Sequence, residues 1–367
     1  MTADRIHEDG IGGEPSAIRA EMPCSGWRLD WATGGLITPV GAAGAVAGPG
    51  DWVRSVATTV LDGRAIAVTG GDNDDALVWD VATGERIGAP LPARGPVWAV
   101  ATQTVAGRPV AVVAGPSTPV QTWDLAARRP LARLAGGAWS VATAVVDGSL
   151  LALVGRQSAP RLLMWDPATG ETVADLEGGS AAGGVGAVVA VTTAVVDGQA
   201  KAVTLHDDSS LHLWCLTGQR HQGRSAPLAG GSRQRVSLAT AVVEGHLLAV
   251  TGSWDGQVRV YDVTAGAEAD GRMPSAADTG PVWALATGVV EGRPVVAASG
   301  DDRTVRVWDL VAHRQVSPDL TFPSEVTALA MAPDGRLTVG FGPDLAVFTP
   351  HSPARAATTH PPEGPAP

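Results

Sequence analysis

Residues 285–309 read LATGVVEGRPVVAASGDDRTVRVWD. Two short apolar runs flank the pair Glu291-Gly292, and an alternating run, VRVWD (305–309), follows. An acidic residue and a glycine between such runs supply the positive φ angles of a tight hairpin. The stretch therefore predicts a hairpin and then a third strand closed by Trp308-Asp309.

Outward from this copy, the chain repeats it. Equivalent pairs are Asp62-Gly63, Ala106-Gly107, Asp147-Gly148, Asp197-Gly198, Glu244-Gly245 and Asp334-Gly335. With Glu291-Gly292 they make seven, spaced by 44, 41, 50, 47, 47 and 43 residues. An aromatic follows each pair 16 to 18 residues on, sooner in the last copy: Trp79, Trp123, Trp165, Trp214, Tyr261, Trp308 and Phe348. Turns such as Ala82-Thr83-Gly84 and Ala168-Thr169-Gly170 then lead to a fourth strand. A lone four-stranded sheet cannot bury both faces, whereas sheets set radially about an axis pack each face on a neighbour. Runs such as AVATQTV (99–105), apolar on both parities, fit strands covered on both sides. The apolar period is nearer two than 3.6, which excludes a helical fold. The expectation is an all-β, seven-bladed β-propeller of four-stranded antiparallel blades.

The last copy, SEVTALAMAPDGRLTVGFGPDLAVF (324–348), stops after its third strand. Near the N-terminus, LDWATG (29–34) echoes WDVATG (79–84). This places Leu36–Val40 as the outer strand of the seventh blade, so that the N- and C-terminal segments pair and close the ring. The propeller is expected to span 24–349. Residues 1–23 and 350–367 are polar, Pro- or Ala-rich and aperiodic, and read as disordered tails.

Composition narrows the function. The formal charge is −11, and the arginines are scattered, which argues against nucleic acid as partner. Cys24 and Cys215 lie too far apart in sequence for a disulfide framework or a recognisable metal motif. No secretory signal and no bilayer-spanning apolar run is present, so a soluble, cytoplasmic protein with no membrane partner is expected. One lysine, Lys201, stands against 25 arginines, a skew expected of a GC-rich bacterial, actinobacterial genome.

Repeats of this length ending in Trp-Asp resemble the WD-repeat family, and the resemblance covers about residues 27 to 349. It implies a protein-interaction scaffold without cofactor, metal or catalytic residues. The chain departs from the family's Asp–His–Ser/Thr–Trp tetrad. The Asp is kept at Asp208, Asp255 and Asp302 and at Asp74 or Asp75, while Ser117 and Ala159 replace it in blades 2 and 3. The tetrad's Gly-His pair is missing, and only Thr69, Thr251 and Ser299 match the Ser/Thr position. Trp79, Trp123, Trp165, Trp214 and Trp308 should then be held by apolar packing, with Trp27 and Trp31 structural in the closing segment.

The remaining tryptophans point to function. Trp98, Trp139 and Trp283 share one place at the start of the inner strand (PVWAVA, GAWSVA, PVWALA). Arg54, Val189, Val236 and Thr327 hold it in the other copies. Trp52 lies two residues before Arg54, and Trp254 sits in a turn between second and third strands. In the family such positions surround the central channel on the top face, where the β subunit of heterotrimeric G proteins grips partners. The implied site is an aromatic rim of Trp52, Arg54, Trp98, Trp139, Trp254 and Trp283. Arg235 stands beside it to take an acidic group. Trp and Arg are enriched in binding hot spots. A protein or peptide partner is the leading expectation, and a small-molecule sensor or propeller lyase using the rim as a pocket is the alternative. The acidic turn Asp72–Asp75 lacks the glycine and terminal glutamate of a calcium loop. The histidines recur at no single repeat position, so no converging metal set is expected. His206-Asp207-Asp208 falls in an ordinary turn.

Overall fold

The structure, a computed structural model, describes residues 26–33, 50–156, 161–177, 187–224, 235–273 and 280–351. It is a seven-bladed β-propeller of antiparallel sheets, with no helix among the described residues. The innermost strands of blades 1 to 7 are Val53–Leu61, Ala99–Val105, Ser140–Val146, Val188–Val196, Arg235–Val243, Val282–Val290 and Val326–Met331. They neighbour one another in a closed circuit in which blade 7 meets blade 1. The fourth strand of blade 6 is split, with Arg314–Gln315 and Leu320–Thr321 pairing different parts of Thr304–Asp309.

Six of the seven hairpins have the predicted turn. Both central residues lie at positive φ, as at Asp62 (50°) and Gly63 (77°) or Glu291 (50°) and Gly292 (77°). Even Ala106 adopts this conformation, at 47°. The seventh differs: only Gly335 of its acidic-Gly pair is left-handed, and Gly335 N–H donates to Ala332 O across a longer turn.

The interior is divided into seven apolar clusters, one at each junction between adjacent blades. The aromatic of each Trp-Asp position lies in the cluster shared with the preceding blade. Trp123 packs with Ile66, Val78 and Leu91 of blade 1, and Trp308 packs with Val250 and Val260 of blade 5. All five of these tryptophans are buried, as the repeat pattern predicts. The aspartate beside the aromatic caps the turn to the fourth strand. Asp80 Oδ1 accepts the N–H groups of Ala82 and Thr83 at 2.8 and 3.0 Å, and Asp309 Oδ1 those of Val311 and Ala312 at 2.8 Å.

The tetrad residues are arranged differently from the expectation. Trp79 Nε1 donates to Thr69 Oγ1 at 2.9 Å, and Trp214 Nε1 to Thr204 Oγ1 at 2.9 Å. Thr204 was missed in the sequence. Ser299 is one residue out of register: Ala298 lies opposite Arg306 as Thr69 lies opposite Leu77, and Ser299 Oγ donates instead to Val326 O at 3.2 Å. The buried indole nitrogens of Trp123, Trp165 and Trp308 have no hydrogen-bond partner among the described residues.

The chain ends close the ring. Gly26–Ala32 pairs with Asp344–His351 and fills the outer place of blade 7. The segment 36–40, expected there, lies outside the described residues, as do the tails 1–23 and 352–367. Residues 350 and 351, counted with the C-terminal tail in the sequence, belong to the strand. A bulge at Asp30 explains how one outer strand serves two junctions. Strict alternation would put Trp27, Leu29 and Trp31 on one face. The extra residue instead sends Trp27 into the blade 6–7 cluster and Trp31 into the blade 7–1 cluster. There Trp31 Nε1 donates to Val81 O at 2.8 Å, and the ring lies so close over Gly84 that a Cβ would collide with it. Trp27 and Trp31 are structural, as expected.

A belt of hydroxyls joins the inner strands. Thr102 Oγ1 donates to Thr58 O, Thr143 to Thr102 O, Thr193 to Thr143 O, Thr240 to Thr193 O and Thr287 to Thr240 O, at 2.6 to 3.3 Å. Thr58 closes it onto Met331 O at 2.8 Å. One link is missing: Met331 takes the place of the seventh threonine, and its side chain lies against Gly288.

Candidate functional site: the rim of the channel

The rim residues occupy the point where each inner strand leaves its ladder. In blades 1, 4, 5, 6 and 7 the pairing skips Arg54, Val189, Val236, Trp283 and Thr327 respectively. In blades 2 and 3, Trp98 and Trp139 stand just ahead of the strand. A bulge frees a side chain from the alternation and re-aims it. The side chains of Arg54, Trp98, Trp139, Trp283 and Thr327 accordingly line one mouth of the central channel, a cavity of about 270 Å³ that the inner strands of all seven blades enclose. The turns between second and third strands lie at the same end. Their backbones pass so close beneath the incoming chain that a Cβ at Gly71 or Gly300 would strike the carbonyl of Trp52 or Pro281.

The expected rim residues form two arcs. In the first, Arg54 grips Asp72 with two prongs, Nε to Oδ1 at 3.0 Å and Nη2 to Oδ2 at 2.6 Å. Its guanidinium carbon lies 5.4 Å from the Trp52 ring and 5.8 Å from that of Trp98. Trp98 Nε1 also donates to Asp72 Oδ1 at 3.0 Å, and Trp98 meets Trp139 edge to face at 5.4 Å. The Arg54 hydrogen bonds hold the Asp72 carboxyl below its ordinary pKa against the opposing cost of burial. The same bonds raise that of Arg54, with further attraction from Asp51 and Glu325. Asp72 is thus committed to the rim rather than standing in a merely solvated hairpin.

The second arc lies on blades 5 and 6. Trp254 meets Trp283 edge to face at 5.2 Å, and Trp283 Nε1 donates to Asp301 Oδ1. Trp52, Trp98, Trp139 and Trp254 are 37 to 44% exposed, and Trp283 is half-buried. The structure therefore brings together Trp52, Arg54, Trp98 and Trp139, and separately Trp254 and Trp283. Arg235 opens the inner strand of blade 5, and its side chain lies outside what the structure describes. Asp72 and Asp301 were missed as members of the rim. Their signal was the acidic residue directly after Gly70-Gly71 and Ser299-Gly300 in copies 1 and 6.

A histidine cluster also escaped the sequence reading. Strand register in blade 4 brings His206, His212 and His221 together: the first two rings lie 4.2 Å apart, and His212 Nδ1 is 3.0 Å from His221 Nε2. Ser210 Oγ links Asp208 at 2.5 Å to His212 at 3.1 Å. Ser210 and His212 are fully buried, so substrate has no approach to them, and they tie blade 4 together much as a tetrad would. Among the described residues no three His, Cys, Asp or Glu groups are placed to hold a metal ion.

Comparison with known proteins agrees with this architecture. A family model described as "WD domain, G-beta repeat" matches residues 235–262 and 275–309, within blades 5 and 6. Among solved structures, the chain is similar to the WD40 beta propeller domain of Doa1, with a TM-score of 0.65 and 16% identity over 89% of this chain and 97% of that one. At that identity the likeness is one of fold. No curated protein matches the chain in sequence.

Proposed function

We propose that this WD-repeat β-propeller is a non-catalytic platform that holds a partner protein or peptide on the tryptophan-lined mouth of its channel. WD-repeat propellers are typically protein-interaction scaffolds, and this chain has their architecture. One observation carries the choice of face. The large aromatic side chains stand partly exposed at or beside the heads of the inner strands and in an adjoining turn, outside the buried clusters between blades. Four indoles at roughly two-fifths exposure leave apolar area for a partner to cover.

The test is capture from a lysate of the source organism by the full chain and by a Trp98→Ala, Trp139→Ala, Trp283→Ala variant shown to fold by circular dichroism. The expected result is a partner enriched by the parent chain and reduced at least tenfold by the variant. A partner held equally by both would place binding elsewhere. Failure of both to retain any protein would favour the small-molecule reading, in which the 270 Å³ mouth is the pocket.

A further inference from the structure

The two arcs share a plan with one component exchanged. Gly300 lies opposite Val282 as Gly71 lies opposite Val53, so Asp301 stands in blade 6 where Asp72 stands in blade 1. Trp283 likewise stands where Arg54 does. In the first arc the chain supplies its own guanidinium, held on a carboxylate and flanked by two indoles. In the second, a carboxylate and two indoles are present without one. Among the described residues, the Trp283 indole is the single donor to the Asp301 side chain, and no cation pairs with it. Asp301 is exposed, and Trp254 is 44% exposed. On the far side of Asp301, blade 7 presents the small Thr327 at the rim position rather than an aromatic.

We propose that the second arc is a receptor for an arginine side chain of the partner, its guanidinium on Asp301 and against the rings of Trp254 and Trp283. This rests on the rim being the partner-binding face. The ligand chemistry follows from three features. An exposed carboxylate with an unengaged Oδ2 accepts a planar two-pronged donor. Indole faces attract a cation, and a guanidinium stacks where an ammonium does not. The field is also right. Asp51, Asp72 and Glu325 all act on Arg54, three carboxylates facing one guanidinium, and the whole chain carries −11. A basic segment is therefore drawn to this mouth.

The experiment is titration of the full, ¹⁵N-labelled chain with the blocked tripeptide Ala-Arg-Ala, and with its lysine and citrulline counterparts, read on the indole N–H signals. Trp283→Phe identifies the Trp283 signal. The arginine peptide is expected to move the Trp254 and Trp283 signals saturably. Citrulline, similar in shape but uncharged, should bind weaker by on the order of tenfold, with lysine between them. Asp301→Asn, a near-isosteric change at an exposed residue, should weaken the arginine peptide by a similar factor. Equal binding of arginine and citrulline would overturn the proposal. So would undiminished binding by Asp301→Asn, or unmoved signals at about ten millimolar peptide, well above the ~1 mM expected of a few-contact ligand. If those results appear while the triple tryptophan variant still loses its protein partner, the arginine receptor falls and the binding face stands. If the triple variant keeps its partner, the face itself is wrong.

Discussion

An indole N–H in a dry interior needs an acceptor, and this chain meets that need unevenly. Thr69 and Thr204 serve Trp79 and Trp214, whereas the register equivalents of Thr69 in blades 2 and 3, Val113 and Val154, serve no one. Thr69→Val should cost about 1–2 kcal/mol, because it leaves Trp79 Nε1 buried and unpaired. The reverse change, Val113→Thr, should gain about 0.5–1 kcal/mol by giving Trp123 Nε1 a partner. Denaturant unfolding of the two variants checks both signs. At the rim the relevant residue is Asp72. Its pKa is lowered in the fold, so its stabilisation is complete above the ordinary carboxylate pKa near 4 and is lost as pH falls through the lower folded value. The Trp98 indole signal should therefore be unchanged from pH 8 to about 5 and shift only in acid below about 4. Movement near neutrality would mean that Arg54 does not hold Asp72. The five buried tryptophans were legible from repeat position alone. Which of them has an acceptor was not, because a shift of one residue, as at Ser299, turns a hydroxyl to the opposite face.

At the scale of the strand, hairpins and Trp-Asp strands could be read directly, since their signals lie within a few residues. The hydroxyl belt is a different case. The dipeptide Ala-Thr recurs at 57–58, 101–102, 142–143, 239–240 and 286–287, in plain view. Its meaning depends on the distance between neighbouring inner strands, which no local pattern contains. Each belt hydroxyl donates to a backbone carbonyl rather than to the next hydroxyl, so the links are independent. Thr143→Val and Thr193→Val should each cost about 1 kcal/mol, and the double variant should cost their sum within about 0.5 kcal/mol. A markedly larger double loss would show that the belt acts cooperatively. The histidine cluster of blade 4 was hidden for the same reason: residues 206, 212 and 221 meet only once three strands are in register.

For the whole molecule, closure by the two chain ends was legible because the last copy lacked a fourth strand. The strand that supplies it was not. The echo of residues 79–84 in residues 29–34 pointed past the true pairing segment, since Trp79-Asp80 ends a third strand whereas residues 29–31 lie within the outer strand itself. Removing residues 1–32 would expose the edge of Asp344–His351 and open two apolar junctions at once. The truncated chain should aggregate or melt over a broad range, and a sharp, reversible transition would disprove the latch. Trp31→Ala is the milder test. It should cost about 3–5 kcal/mol, the usual loss for a fully buried tryptophan, while leaving the ring assembled.

The bulges at the head of the inner strands have an evolutionary reach. A residue that the ladder skips, or that stands just ahead of it, is excused from the repeat, so the seven seats around the mouth can change tenants without disturbing a blade. Tryptophan, arginine, valine and threonine already share them here. Specificity can then drift seat by seat on an unchanging chassis, and the valine and threonine seats at 189 and 327 are the natural places to graft a new key.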